Sequence, residues 1–158
     1  MKQSIRKGFS FGLTSGIITT LGLIVGLDSV THSKTAVIGG ILAIAVADSL
    51  SDALGMHISE ESVRRAHTKV WESTYSTALF KFLFALLFII PILLLDLTTA
   101  IQVSIVIGVS LIVIYSYNMA KRSNRKPINA IAEHTSIAVI VILVTHYIGD
   151  LLRYIGLS

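Results

Sequence analysis

The sequence predicts an all-α integral membrane bundle of five transmembrane helices, and three observations lead there. Hydrophobic residues make up 53% of the 158 residues and charged ones only 14%, whereas average usage is about 25% charged. The apolar residues gather in five stretches close to the roughly 20 residues a helix needs to cross a bilayer. Lysine and arginine concentrate in every second connection, the pattern that sets membrane orientation. With the bilayer supplying the core, residues 1–158 read as one transmembrane domain without a soluble module.

The first span covers residues 9–27. Gly8, Gly12 and Gly16 recur every four residues, and Gly22 and Gly26 repeat the spacing farther along. Such a ridge lets another helix approach closely, either inside one bundle or as a contact between two copies in a homodimer. Ser15 and Thr19, also four apart, add hydroxyls to a neighbouring face. The segment is too long and too rich in Gly and Thr for a cleaved signal peptide, and no small-residue cleavage site follows it.

The second span covers 35–56, and residues 59–77 read as a polar, solvated connector, helical but with irregular apolar spacing. Trp71 and Tyr75 there suit the interfacial aromatic belt, and Lys81 is expected to snorkel back toward that interface. The third span, 78–95, is apolar all round and reads as lipid-facing scaffold with a kink at Pro91. Asp96 and Thr98–Thr99 form a turn that caps the fourth span, 99–117, which carries no evident chemistry. Pro127, favourable at a first helical position, opens the fifth span, 127–149.

Orientation follows from the cations. Lys2, Arg6 and Lys7 precede span one, Arg64, Arg65 and Lys69 separate spans two and three, and Lys121, Arg122, Arg125 and Lys126 separate spans four and five. Only Lys34 and Arg153 fall on the opposite side. The N-terminus is therefore expected in the cytoplasm and the C-terminus outside, in a multi-pass protein of the cell (inner, cytoplasmic) membrane. This topology accounts for the net charge of +4 without a nucleic-acid partner. Cysteine is absent, which removes disulfides, thiolate metal sites and cysteine nucleophiles. Neither H-E-x-x-H nor G-x-S-x-G occurs, so no enzyme is expected.

The residues that point to function lie in span two. Asp48 and Asp52 sit inside an apolar stretch, where each carboxylate costs on the order of 3 kcal/mol at mid-membrane and marks an ion path by default. Their i, i+4 spacing places both on one face. Two carboxylates that close in a poorly hydrated place need a proton, a basic partner or a bound cation. Met56 and Glu60 continue the line at four-residue steps. Hard oxygen ligands suit Mg, Ca, Mn and Fe(II), and a thioether shifts the preference toward a transition metal. Glu133 of span five is expected at similar depth. The expected metal ligands are thus Asp48, Asp52, Met56, Glu60 and Glu133, with Ser15, Thr19 and His134 as polar lining of the path. Because protons compete with a metal for the same oxygens, a proton-coupled divalent-cation transporter is the leading reading. The ion is cargo, and no permanently bound cofactor is expected. The alternative is a non-transporting scaffold or accessory subunit whose aspartates form a structural pair.

The stretches GLTSGIITTLGLIVGL and SDALGMHISEES resemble the vacuolar iron transporter family over roughly residues 8–62. The resemblance implies five spans, a cytoplasmic N-terminus, and a homodimeric exchanger moving Fe(II) or Mn(II) out of the cytoplasm against protons. Its path would run between two copies, lined by spans one and two. Against the family pattern, Ser15 stands where a span-one aspartate falls, Asp52 near the span-two methionine, and Ile44 near the span-two glutamate. The large cytoplasmic metal-binding helices of the family shrink here to residues 59–77, as in a divergent prokaryote-type branch.

Overall fold

Each apolar stretch folds as a helix longer than its apolar part, since in a bilayer every backbone N–H and C=O must be satisfied within the segment. The computed structural model describes residues 2–156. Its elements are α1 (Gln3–Thr31), α2 (Lys34–Ser62), α3 (His67–Leu87), α4 (Ile89–Leu94), α5 (Leu97–Arg122) and α6 (Pro127–Tyr154), with no strand among the described residues. Five helices are long and apolar enough to span a membrane, α3 and α4 together making the third. The protein is an all-α, multi-pass membrane protein.

The turns between the helices are short and locally determined. Ser33 starts α2, its hydroxyl accepting from the Ala36 amide at 3.3 Å. The α2 C-terminus closes with Arg64 in the left-handed region (φ 54°), where the Arg65 amide donates to Glu60 O and the Arg64 amide to Glu61 O. That is the Schellman pattern, with arginine where glycine is usual. Asn124 (φ 55°) plays the same part after α5. Asp96 caps α5 by accepting from the Thr99 amide at 3.0 Å. That backbone hydrogen bond holds the Asp96 carboxyl below its ordinary value. Pro91 has no amide to donate, and its ring would strike the carbonyl four residues back. That carbonyl belongs to Leu87, where α3 ends, and Phe88 closes the turn with a bond to Ala85 O.

The chain divides into two compact units, Met1–Thr20 with Ile38–Ile90, and Leu21–Val37 with Pro91–Ser158. In the first unit, α1 and α3 run parallel. A Cβ added at Gly8 would meet Ser73 O at 2.6 Å, at Gly12 the Lys81 amide nitrogen at 2.8 Å, and at Gly16 the Lys81 carbonyl at 3.0 Å. The helix α2 runs antiparallel to both, since Lys7 pairs with Glu60 and, farther along α1, Ser15 with Asp52. In the second unit the later half of α1 lies parallel to α6. Gly22 faces Val141, Gly26 faces Thr145, and Gly149 packs on Ser29. The helices α5 and α6 are joined by a short turn and meet antiparallel where Ser116 bonds His134.

Two expectations are corrected. The stretch 59–77 is helical as expected apart from a turn of four residues between Ser62 and His67, but most of it is the first part of α3 and not a solvated connector. That part faces inward, with Val70, Ser73, Thr74, Ser76, Thr77, Lys81 and Ala85 buried, so α3 is not lipid-facing scaffold along its length. The small hydroxyl residues that make it look solvated are what let a glycine ridge seat against it. The ridge itself packs within the chain, on α3 at Gly8, Gly12 and Gly16 and on α6 at Gly22 and Gly26.

Candidate functional site: an ion-paired centre in the bundle

The stripe Ser73, Thr77, Lys81, Ala85 advances by four residues and keeps one face of α3 on α1. Because Gly12 and Gly16 have no side chains, the Lys81 backbone lies directly on α1. Its side chain runs to α2 rather than back along α3. Lys81 is 2% exposed, and its ammonium is ion-paired with both Asp48 and Asp52.

The geometry is tight. Lys81 Nζ lies 2.5 Å from Asp48 Oδ2, an ionic contact outside hydrogen-bond geometry, and donates to Asp52 Oδ2. It also donates to Ser15 Oγ at 2.9 Å, and the Ser15 hydroxyl donates to Asp52 Oδ2 at 2.8 Å. Ser15 stands about 18 Å along α1, itself about 44 Å long, which places the centre near mid-helix. The two carboxylates keep 28% and 23% of their side-chain surface open. Two carboxylates facing one ammonium leave the centre one positive charge short of balance, and at this depth the excess negative charge needs a further proton or cation.

The other expected site residues lie elsewhere. Met56, half-buried, follows Asp52 by one turn. Glu60, 5% exposed, is paired with Lys7 and stands 4.0 Å from Arg65 Nε. Thr19 returns its hydroxyl to Ser15 O at 2.8 Å. Glu133 is exposed and belongs to the second unit. In that unit His134 Nδ1 bonds Ser116 Oγ at 2.8 Å. Among the described residues no group of three or more His, Cys, Asp or Glu side chains is placed to hold a metal ion. Asp48, Asp52 and Ser15 are brought together; Glu60 is engaged by other cations, and Thr19 by its own helix.

The residue that sequence reasoning missed is Lys81. Its signal was present in the four-residue spacing from Ser73, which matches the spacing of the α1 glycines. In the second unit His146 has partners of its own: Ser29 Oγ at 2.7 Å from Nδ1 and Asp150 at 3.5 Å from Nε2. Arg153 there contacts His32 at 2.5 Å and Asp150 at 3.3 Å.

No protein-family model matches the chain, and no curated protein is similar to it.

Proposed function

We propose that this protein is a membrane transporter that exchanges a cation against protons at the Asp48–Lys81–Asp52 centre, with Lys81 serving as a tethered cation. The observation that carries the reading is a fully buried ammonium between two half-buried carboxylates, one acid in excess. Buried ion pairs can often be replaced by apolar groups without loss of stability, so a bundle with no charge to move has little reason to keep three ionisable groups at this depth. Intramembrane groups of this kind line ion and proton paths. With Lys81 charged, the centre accepts one more positive charge, which a proton supplies. A divalent ion needs both carboxylates, so its arrival displaces Lys81 together with the proton the carboxylates hold, and metal uptake is tied to proton release.

The resemblance to vacuolar iron transporters supports Fe(II) or Mn(II) as the cargo. The cation distribution supports an N-terminal face in the cytoplasm of a cell membrane, hence export. A second reading, a non-transporting scaffold or accessory subunit, is favoured by one observation: Lys81 already contacts both acids within one chain, so no travelling ion is needed.

Proteoliposomes separate the two. Mn(II) flux driven by a pH gradient is expected above that of empty vesicles, and at background in the Asp48→Asn/Asp52→Asn variant. Wild-type flux equal to that of empty vesicles sinks the transporter and leaves the scaffold.

A further inference from the structure

The N-terminal ends of α1 and α3 and the C-terminal end of α2 enclose a cavity of about 390 Å³ whose charged lining is Lys2, Lys7, Arg65, Lys69, Glu60 and Glu72. Glu60 is an expected metal ligand by sequence, but both glutamates are already taken. Lys2 pairs with Glu72 at 2.5 Å, Ser4 donates to the same carboxylate, and Lys7 pairs with the buried Glu60. Each acid is thus matched by one lysine. Arg65 reaches Glu60 only at 4.0 Å through Nε, and Lys69 makes no ion pair among the described residues, adding only a weak attraction to Glu72, which Lys2 already holds. The lining therefore holds two cations beyond its two acids.

A concave site with surplus positive charge beside a bilayer has an evident complement. Guanidinium groups bind phosphate oxygens in a forked geometry, and ammonium groups bind them as point charges. Basic pockets at the cytoplasmic ends of membrane helices take lipid headgroups in this way. We infer that the cavity is a binding site for a phosphate-bearing anion, held by Arg65 and Lys69 with Lys2 and Lys7 oriented by their glutamates. The anion comes from an anionic phospholipid headgroup or from a soluble phosphate. This inference does not depend on cation exchange at Lys81. If both hold, the bound anion cancels the surplus charge that would otherwise repel a cation from this end.

The test uses the full-length protein in neutral detergent, with phosphatidylglycerol, phosphatidylcholine, and potassium phosphate against chloride of equal ionic strength. Thermal melting and native mass spectrometry are the readouts. Phosphatidylglycerol is expected to raise the melting temperature by several degrees and to persist as an adduct, while phosphatidylcholine does neither. The Arg65→Gln/Lys69→Gln variant is expected to lose most of that gain, and an Arg125→Gln/Lys126→Gln control to keep it. A gain from phosphate alone, lost in the same variant, identifies the soluble source. The inference is overturned if neither anion exceeds its control, if the Arg65/Lys69 variant keeps the gain, or if the Arg125/Lys126 control loses it equally. Arg65 and Lys69 are exposed, so the variant is expected to fold, and its unliganded melting curve checks this. The single Lys69→Gln variant repeats the comparison.

Discussion

A Cβ on Gly12 would stand 2.8 Å from the backbone nitrogen of Lys81. The glycine ridge and the charged centre are therefore two results of one helix contact. Close approach of α1 and α3 seats the Lys81 backbone, and only then can its ammonium lie between the carboxylates of α2.

Gly12→Ala is accordingly expected to push α3 away, because the atoms it meets, Lys81 N and Thr77 O, are backbone and cannot rotate aside. Overpacking of this kind costs about 1–3 kcal/mol. Gly55 has nothing within 4 Å of an added Cβ, so Gly55→Ala is expected to be neutral or slightly stabilising through helix propensity. Thermal melting of both variants checks the contrast. Equal effects at the two positions would contradict the ridge contact.

Removing Lys81 alone is expected to be worse than removing the whole centre. Lys81→Met leaves two carboxylates facing each other without their cation, a loss of about 3–5 kcal/mol for a broken buried pair. Adding Asp48→Asn and Asp52→Asn removes the stranded charge and should recover most of that loss. The measurement is the unfolding midpoint of wild type, single and triple variants. Non-additivity of at least about 0.5 kcal/mol is the sign of direct coupling, and strict additivity would show that the three side chains do not share one site.

How much of this could be read from the chain depends on which signal dominates locally. The five spans were legible because long apolar runs have a single stable form in lipid, and the Pro91 break and the Asp96 cap follow from missing or added hydrogen bonds. The aspartate pair was legible because charge in an apolar run is costly. Its partner was not, because Lys81 reads as an interfacial cation until the glycine ridge is matched to the Ser73–Thr77–Lys81 stripe. The same polar residues made the first part of α3 read as a solvated connector, although burial against glycine suits small hydroxyl side chains. Glu60 read as a metal ligand for a related reason: its partner Lys7 lies far off in sequence, near the start of α1.

The left-handed Arg64 offers a stabilising change. A residue with a Cβ pays about 1–2 kcal/mol in that region, and glycine pays little. Arg64 is exposed, and its amide bond to Glu61 O does not involve the side chain. Arg64→Gly is expected to raise the melting temperature. A fall would mean that the Arg64 side chain holds the turn through contacts of its own.

The α5 cap supplies a pH dependence whose sign can be worked out. The Thr99 amide, first through its backbone bond to the Asp96 carboxylate, lowers that carboxyl below its ordinary value of 3.8, with Lys34 adding a smaller attraction. A group whose folded value is depressed adds stability above the unfolded value and loses it as pH falls through the folded one. Asparagine caps a helix about as well as aspartate but carries no charge, so Asp96→Asn removes only the titrating part. Wild type is therefore expected to melt above Asp96→Asn at pH 7, with the gap closing as the pH is lowered below about 4. Melting curves taken from pH 7 to pH 3 in the same detergent make the comparison. A gap that stays constant across that range would mean the cap works by hydrogen bonding alone, with no contribution from the carboxylate charge at the start of α5.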